Sequence, residues 1–256
     1  MDENNKKCIG IIFGGKSYEH DVSILSARNI FKAFHSGLNL KRFKIKTFYI
    51  NKDGSWFNAF DSNLIINGQK EEVINHKNNS SRNFNFLENI DIKGVDIWFP
   101  ILHGLNGEDG AIHGLLNFTQ KPIIGSGILG SAIGMDKISM KLIFSNLKIP
   151  QVKYLPIYKY DPKDTYNLQL TYKQINNKLQ FPLFIKPSNS GSSIGISKIN
   201  DESEIFEALE KASKIDKRII IEEAHEVREL ECGIIGRRDL ITSQIGEVIH
   251  SSDWYD

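Results

Sequence analysis

Lys186 stands directly before a run of small hydroxyl and backbone donors. The segment Phe181–Lys198 reads Phe-Pro-Leu-Phe-Ile-Lys-Pro-Ser-Asn-Ser-Gly-Ser-Ser-Ile-Gly-Ile-Ser-Lys. Gly191 and Gly195 permit backbone conformations closed to other residues, and Ser192 and Ser193 add hydroxyls to the backbone N–H groups. A loop of this composition can fold over a polyphosphate, with Lys186 reaching the phosphates as a point charge. The glycines do not lead into Gly-Lys-Ser/Thr and a helix, so this is not a Walker loop. Gly and Ser are also ordinary turn residues, and the segment alone would equally suit a plain hairpin.

The flanks say what positions the loop. Leu183–Ile185 is an apolar run of strand type, and Ile194, Ile196 and Ile199 restart a strand-like pattern, so the loop joins two strands. Upstream, residues 8–13 read as a buried strand ending at Gly14-Gly15, after which Ser17 caps a helix running to about Phe34, with Glu19 and Asp21 in its first turn. A second strand is expected at Phe43–Ile50. Residues 58–93, most polar over His76–Asn83, read as a surface excursion. A buried strand over Val95–Leu102 then leads into the polar loop His103–Gly110 and a helix over Ile112–Phe118. Strand, loop and helix recur, which argues for an α/β fold with a doubly wound parallel sheet in the N-terminal part. Residues 122–127 suggest a short strand and turn. Residues 128–147 suit a helix carrying Lys137 and Lys141 one turn apart, and Pro150 marks a boundary. Beyond it, strands are expected at Tyr154–Ile157, on both sides of the Lys186 loop, at Ile219–Ile221 and at Leu230–Ile235, with a helix over Glu202–Ala212.

A chain of 256 residues with 40% hydrophobic and 25% charged residues can bury a substantial core. Thirty-two basic against thirty-one acidic side chains give a net charge of +1, without the electrostatic footprint of a nucleic-acid or anionic-membrane binder. The polar start lacks a signal-peptide apolar core, and no apolar run reaches the length of a membrane span, so a cytoplasmic protein is expected. Cys8 and Cys232 lie beside strand-like residues and read as packed free thiols. The seven histidines show no zinc spacing.

Several segments match one family in the same order: Gly14-Gly-Lys-Ser-Tyr-Glu-His-Asp-Val-Ser23; His103-Gly-Leu-Asn-Gly-Glu-Asp-Gly-Ala-Ile-His-Gly114; Gly125-Ser-Gly127 through Met135-Asp-Lys137; and the Lys186 loop, continued by Ile221-Glu-Glu223 through Arg228-Glu-Leu-Glu231. On these the chain resembles the D-alanine–D-alanine ligases of the ATP-grasp superfamily. The resemblance implies an N-terminal substrate-side domain over residues 1–125 and an incomplete α+β ATP-grasp region over 126–256. It implies an enzyme of peptidoglycan precursor synthesis. ATP phosphorylates the carboxylate of one D-alanine, and the amine of a second attacks the acyl phosphate. By similarity, Lys137 and Lys186 contact the ATP phosphates, Ser192 and Ser193 lie in the covering flap, and Glu222, Glu223 and Glu229 line the adenosine pocket. Glu19 holds the ammonium of the first D-alanine with Ser192 nearby, and His103 approaches the substrate carboxylate. The family also implies two magnesium ions and a homodimer.

The sequence departs from the family at His113, where many members carry glutamine, and at its end. The loop with a Lys-Tyr pair, the oxyanion arginine, and the Asp and Asn-Glu-x-Asn magnesium ligands find no counterpart before Asp256, and the last asparagine is Asn200. The expectation is a chain lacking the C-terminal part of a family member and inactive by itself. A D-alanine–D-lactate ligase and a non-catalytic remnant with weak nucleotide binding remain open. A dinucleotide-dependent oxidoreductase would need Gly-x-Gly-x-x-Gly after the first strand, which is absent.

Overall fold

The computed structural model describes residues 6–69 and 94–249. Contacts divide the chain into two compact units, Met1–Ile143 and Phe144–Asp256.

The first unit is organised by β1 (Lys7–Gly14), whose residues from Cys8 onward are all buried. Helix α1 (His20–Phe34) and the short α2 (Asn39–Arg42) lead to β2 (Phe43–Ile50), and helix α3 (Ala59–Ile66) precedes β3 (Ile97–Pro100). The strands form a parallel sheet in the order β2-β1-β3. Period-two alternation along β1 sends Ile9, Ile11 and Phe13 to one core with Ile24 and Ala27 of α1 and Ile65 and Ile66 of α3. Ile12 goes to another core with Phe48, Trp98 and Leu116. The partner helix there is α4 (Ala111–Asn117), so helices cover both faces, as a doubly wound sheet requires. Gly10 makes room for Trp98, since a Cβ there would come within 2.6 Å of the indole ring.

The region from 58 is not wholly a surface excursion: α3 buries Ser62, Ile65 and Ile66, and the Ser62 hydroxyl accepts from the Tyr49 N–H at 2.9 Å. His76–Asn83 lies outside the described residues. The helix expected over 128–147 is two helices, α5 (Ile128–Met135) and α6 (Lys137–Asn146). They break at Asp136, which leaves helical geometry at ψ 102° and whose carboxylate accepts from the Ser139 N–H at 2.7 Å.

The second unit carries an antiparallel sheet in the order β4-β7-β5-β6, made of Tyr154–Ile157, Ile219–Glu223, Leu183–Pro187 and Ser197–Ile199 respectively. Helices α7 (Thr165–Lys178) and α8 (Ile205–Ser213) share a core with its strands through Ile175, Leu209, Leu183, Ile185 and Ile221. The sequence reading did not anticipate α7. The strand expected over Leu230–Ile235 is two short exposed strands, β8 (Glu229–Glu231) and β9 (Ile234–Ile235). They pair with β11 (Gly246–Val248) and β10 (Ile241–Thr242) respectively. Cys8 is buried as expected, whereas Cys232 is exposed because it sits in this outlying hairpin region rather than in a core.

Ile11 is fully buried in the central strand. Truncation to alanine should lower the stability of the first unit by about 2–5 kcal/mol, read from the shift in a urea unfolding curve, with the cavity left behind setting the cost within that range.

Candidate functional site

In the first unit the chemistry gathers where β1 ends. Gly14 and Gly15 turn with φ of +91° and +95°. A Cβ on Gly14 would collide with the carbonyl oxygen of Ile50, so only glycine fits. The turn leads to Ser17, whose hydroxyl donates to the His103 carbonyl at 2.6 Å and accepts the Glu19 N–H at 3.2 Å. Ser17 is therefore a bridge between loops rather than the helix cap expected of it. Glu19 occupies the cap position of α1, one residue before the first turn, without a capping side-chain bond. Its carboxylate packs over Gly104, where an added Cβ would lie 2.5 Å from Oε2. Gly104 adopts φ +69°, and its N–H donates to the Glu108 carboxylate at 2.8 Å. His103 reaches the Ser26 hydroxyl through Nε2 at 3.1 Å. Two segments more than eighty residues apart in sequence thus bring Glu19 and His103 to one loop junction.

A cavity of ≈ 740 Å³ opens beside it, lined among others by His103, Glu108, His113, Ser126 and Ser131. His113 is buried, its Nδ1 has no hydrogen-bond partner, and burial pushes its pKa down against an opposing pull from Asp109. Lys137 is half-buried at the first position of α6, and Lys141, one turn on, is buried.

In the second unit, strand alternation decides which acids face Lys186. The register sets Phe184 opposite Glu222 and Lys186 opposite Ile220, so these four share one face. Leu183, Ile185 and Pro187 share the other with Ile219, Ile221 and Glu223. Lys186 Nζ donates to Glu222 Oε2 at 2.7 Å and lies 4.9 Å from the centre of the Phe184 ring. Glu223 points the other way. Its carboxylate accepts from the Gln180 N–H at 3.0 Å and from Lys153 Nζ at 3.4 Å, with His225 Nε2 at 3.6 Å. The structure thus joins Lys186 to Glu222 and separates both from the Glu223 side chain. Glu229 opens the exposed strand β8.

The loop between β5 and β6 carries left-handed backbone at Ser192 (φ +45°), Ser193 (φ +56°) and Gly195 (φ +76°). Gly191 does not adopt that conformation, contrary to the role expected of it. Its carbonyl instead accepts the Ile194 N–H at 3.1 Å in a tight turn. At the loop's root Asp216 accepts from both the backbone N–H and the side-chain amide of Asn189, at 3.1 and 2.8 Å. Neither Asp216 nor the Ser17 bridge was singled out in the sequence. No local pattern announces a partner 27 or 86 residues away.

The family models for the D-ala D-ala ligase N-terminus and the D-ala D-ala ligase C-terminus match residues 8–126 and 143–256. A D-alanine–D-alanine ligase of Prochlorococcus marinus (strain MIT 9215) is 57% identical over 258 residues, covering 100% of this chain and 73% of that protein. The chain belongs to the D-alanine–D-alanine ligase family. Among solved structures, the VanG D-Ala:D-Ser ligase from Enterococcus faecalis superposes with a TM-score of 0.80 at 32% identity, over 98% of this chain and 72% of that one. The D-alanine–D-alanine ligase from Coxiella burnetii gives 0.75 at 25% identity, over 95% and 69%. Family members use ATP and magnesium. Among the described residues no group of three or more His, Cys, Asp or Glu side chains could hold a metal ion.

The depressed pKa of His113 makes the first unit acid-sensitive. The folded ring resists the proton that the unfolded ring accepts near pH 6.5, so its effect is absent well above that value. The resulting destabilisation grows as the pH falls through 6.5 toward the folded value. Replacing it by the non-titrating His113→Gln should flatten this part of the stability profile, measured as urea midpoints from about pH 7.5 downward.

Proposed function

We propose that this chain carries the substrate- and nucleotide-holding machinery of an ATP-dependent D-alanine–D-alanine ligase of peptidoglycan precursor synthesis. Residues 1–125 form the substrate side, and 126–256 belong to the nucleotide-binding region. D-alanine and ATP are its small-molecule partners, and a cytoplasmic homodimer is the expected setting. Among the described residues, no helix is long and apolar enough to cross a membrane. The observation that carries the reading is the Lys186–Glu222 pair at 2.7 Å on the strand that leads into the Ser192–Ser193 loop, in a chain 57% identical to a D-alanine–D-alanine ligase.

A carboxylate is a poor acyl donor, and converting it to an acyl phosphate depends on placement and on neutralising the charge of the transferring group. In this reading Lys137 and Lys186 supply positive charge to the ATP phosphates. Glu222 accepts from the adenine amine and Glu229 from the ribose hydroxyls. Glu223 contributes through its backbone, because its side chain is held on the opposite face by Gln180 and Lys153. Glu19 binds the ammonium of the first D-alanine, Ser192 orients it, and His103 approaches its carboxylate. The carboxylate oxygen attacks the γ-phosphorus as ADP leaves. The amine of the second substrate then attacks the acyl carbon, expelling phosphate and losing a proton as the peptide bond forms.

The similarity to an E. faecalis enzyme named for D-Ala:D-Ser ligation keeps the second substrate open, and D-lactate remains a competing acceptor. The chain spans 73% of the length of the P. marinus relative. In this reading the 256-residue polypeptide by itself binds nucleotide without turning it over.

Two measurements test this. A non-hydrolysable ATP analogue should bind the 256-residue chain, and Lys186→Met should weaken it by about tenfold or more, as loss of a charge-assisted contact implies. NAD binding in preference to the ATP analogue would overturn the ligase reading. ADP release with D-alanine and Mg-ATP should stay at background, and robust turnover would refute the claim that this polypeptide is inactive alone.

A further inference from the structure

The Gly14–Glu19 turn is held by one buried side chain to which the sequence assigned no role. His20, the first residue of α1, is 1% exposed. Its ring folds back so that Nδ1 lies 2.6 Å from the Gly15 carbonyl oxygen, while Nε2 lies 3.0 Å from the Tyr49 hydroxyl on β2. A carbonyl oxygen can only accept, so Nδ1 carries the proton. In the neutral ring Nε2 then accepts from the tyrosine hydroxyl, whose other acceptor, Asn51 Oδ1, lies at 3.3 Å. The two rings meet edge to face, 5.5 Å between centres. Burial, with Asp21 and Asp53 adding to it, pushes the Tyr49 phenol up to about 12, so it remains a donor at neutral pH. The other restraints on the turn come from its own backbone or from serines. The Gly15 N–H bonds the Ile50 carbonyl, Ser23 Oγ accepts the Gly14 N–H, and the His20 N–H bonds the Ser17 carbonyl.

We propose that His20, its Nδ1–H fixed on the Gly15 carbonyl and its ring braced by Tyr49, is the positioning residue for Glu19 and so for the ammonium of the first substrate. The Gly15 carbonyl has no side chain of its own to fix it, and both glycines sit at positive φ with a wide choice of conformations. A buried imidazole donating to that carbonyl selects one of them. Glu19 adjoins the ring's own backbone, so the ring and the carboxylate cannot shift independently. The substrate clause rests on the function proposed above, whereas the positioning clause is a property of this chain alone.

The test uses the 256-residue chain with His20→Leu, His20→Asn and Tyr49→Phe. It reads the carboxyl carbon resonance of Glu19, the nitrogen resonances of the His20 ring where present, and calorimetric affinity for D-alanine and for a non-hydrolysable ATP analogue. His20→Leu removes the donor but keeps apolar volume. It should displace the Glu19 resonance and weaken D-alanine about tenfold, the scale of one buried hydrogen bond, with nucleotide affinity unchanged. His20→Asn places an amide donor near the old Nδ1 and should restore D-alanine affinity to within about threefold. Tyr49→Phe removes the Nε2 brace, should loosen the ring and move Glu19 part-way, and it serves if the leucine variant does not fold.

A Glu19 resonance and D-alanine affinity unchanged in His20→Leu would overturn the proposal. So would equal loss in the leucine and asparagine variants, or, where the leucine variant does not fold, an unmoved Glu19 signal in Tyr49→Phe. If wild-type chain ignores D-alanine while the Glu19 resonance responds as described, the substrate reading fails and the positioning role stands.

Discussion

A lysine and a glutamate 2.7 Å apart on one face of an antiparallel sheet order the polar side of the second unit. The Glu222 side chain is 9% exposed and that of Lys186 22% exposed. Neither charge is well hydrated, so the pair offsets part of the cost of holding each away from water. A ligand presenting both a donor and an anion can replace the contact on each side with another. The pair exists because β5 and β7 run antiparallel in a register that puts Phe184 opposite Glu222 and Lys186 one pleat along. A slip of one residue in β5 would turn Lys186 to the apolar face and Ile185 away from it. The full burial of Leu183, Ile185, Ile219 and Ile221 fixes that register, so the apolar side of the sheet specifies the polar side.

The first unit solves a different problem, holding an acid and an imidazole from distant loops at one junction. It does so with backbone geometry and short side chains. Gly14 and Gly15 turn the chain where nothing with a Cβ fits beside Ile50. Ser17 ties that turn to the His103 carbonyl, and Gly104 leaves space for the Glu19 carboxylate. Each of these devices lies just beyond the carboxyl end of a parallel strand, where the strands splay and loops from different βα units meet.

Much of this was legible because it is periodic. β2 and β4 fall where the apolar runs place them, and β1 differs by one residue at each end. The Lys186 loop joins two paired strands as its flanks imply. Helix α7 escaped because its core-facing residues, Leu168, Tyr172 and Ile175, are spaced among Asn, Gln and Lys that dilute the apolar signal. Helix α3 escaped for the opposite reason: Phe60, Leu64, Ile65 and Ile66 spread around it and leave no polar stripe to read. Glu222 and Glu223 look equivalent in sequence, and only period-two geometry tells that their carboxylates serve opposite faces. Contacts such as Ser17–His103 and Asn189–Asp216 depend on where loops meet after folding, and no local pattern encodes them.

The loop after Lys186 takes its shape from more than its glycines. Glycine freedom was the basis for expecting a pliable cover. Yet two of its left-handed residues are Ser192 and Ser193, where a Cβ makes that backbone costly unless the surroundings hold it. They are held by consecutive tight turns, Ile194 N–H to the Gly191 carbonyl and Ile196 N–H to the Ser193 carbonyl, and by the Ser190 hydroxyl on the Ile194 carbonyl at 2.9 Å. Gly195, the glycine that does turn left-handed, packs so closely that a Cβ would lie 2.9 Å from both Pro187 and Ile215. Lys211 holds the Ile196 carbonyl at 3.0 Å, and Asp216 clasps Asn189 at the other end. The loop's shape is therefore prescribed by its own hydrogen bonds and by both roots. The serines serve as much by the backbone they are made to adopt as by the hydroxyls they carry.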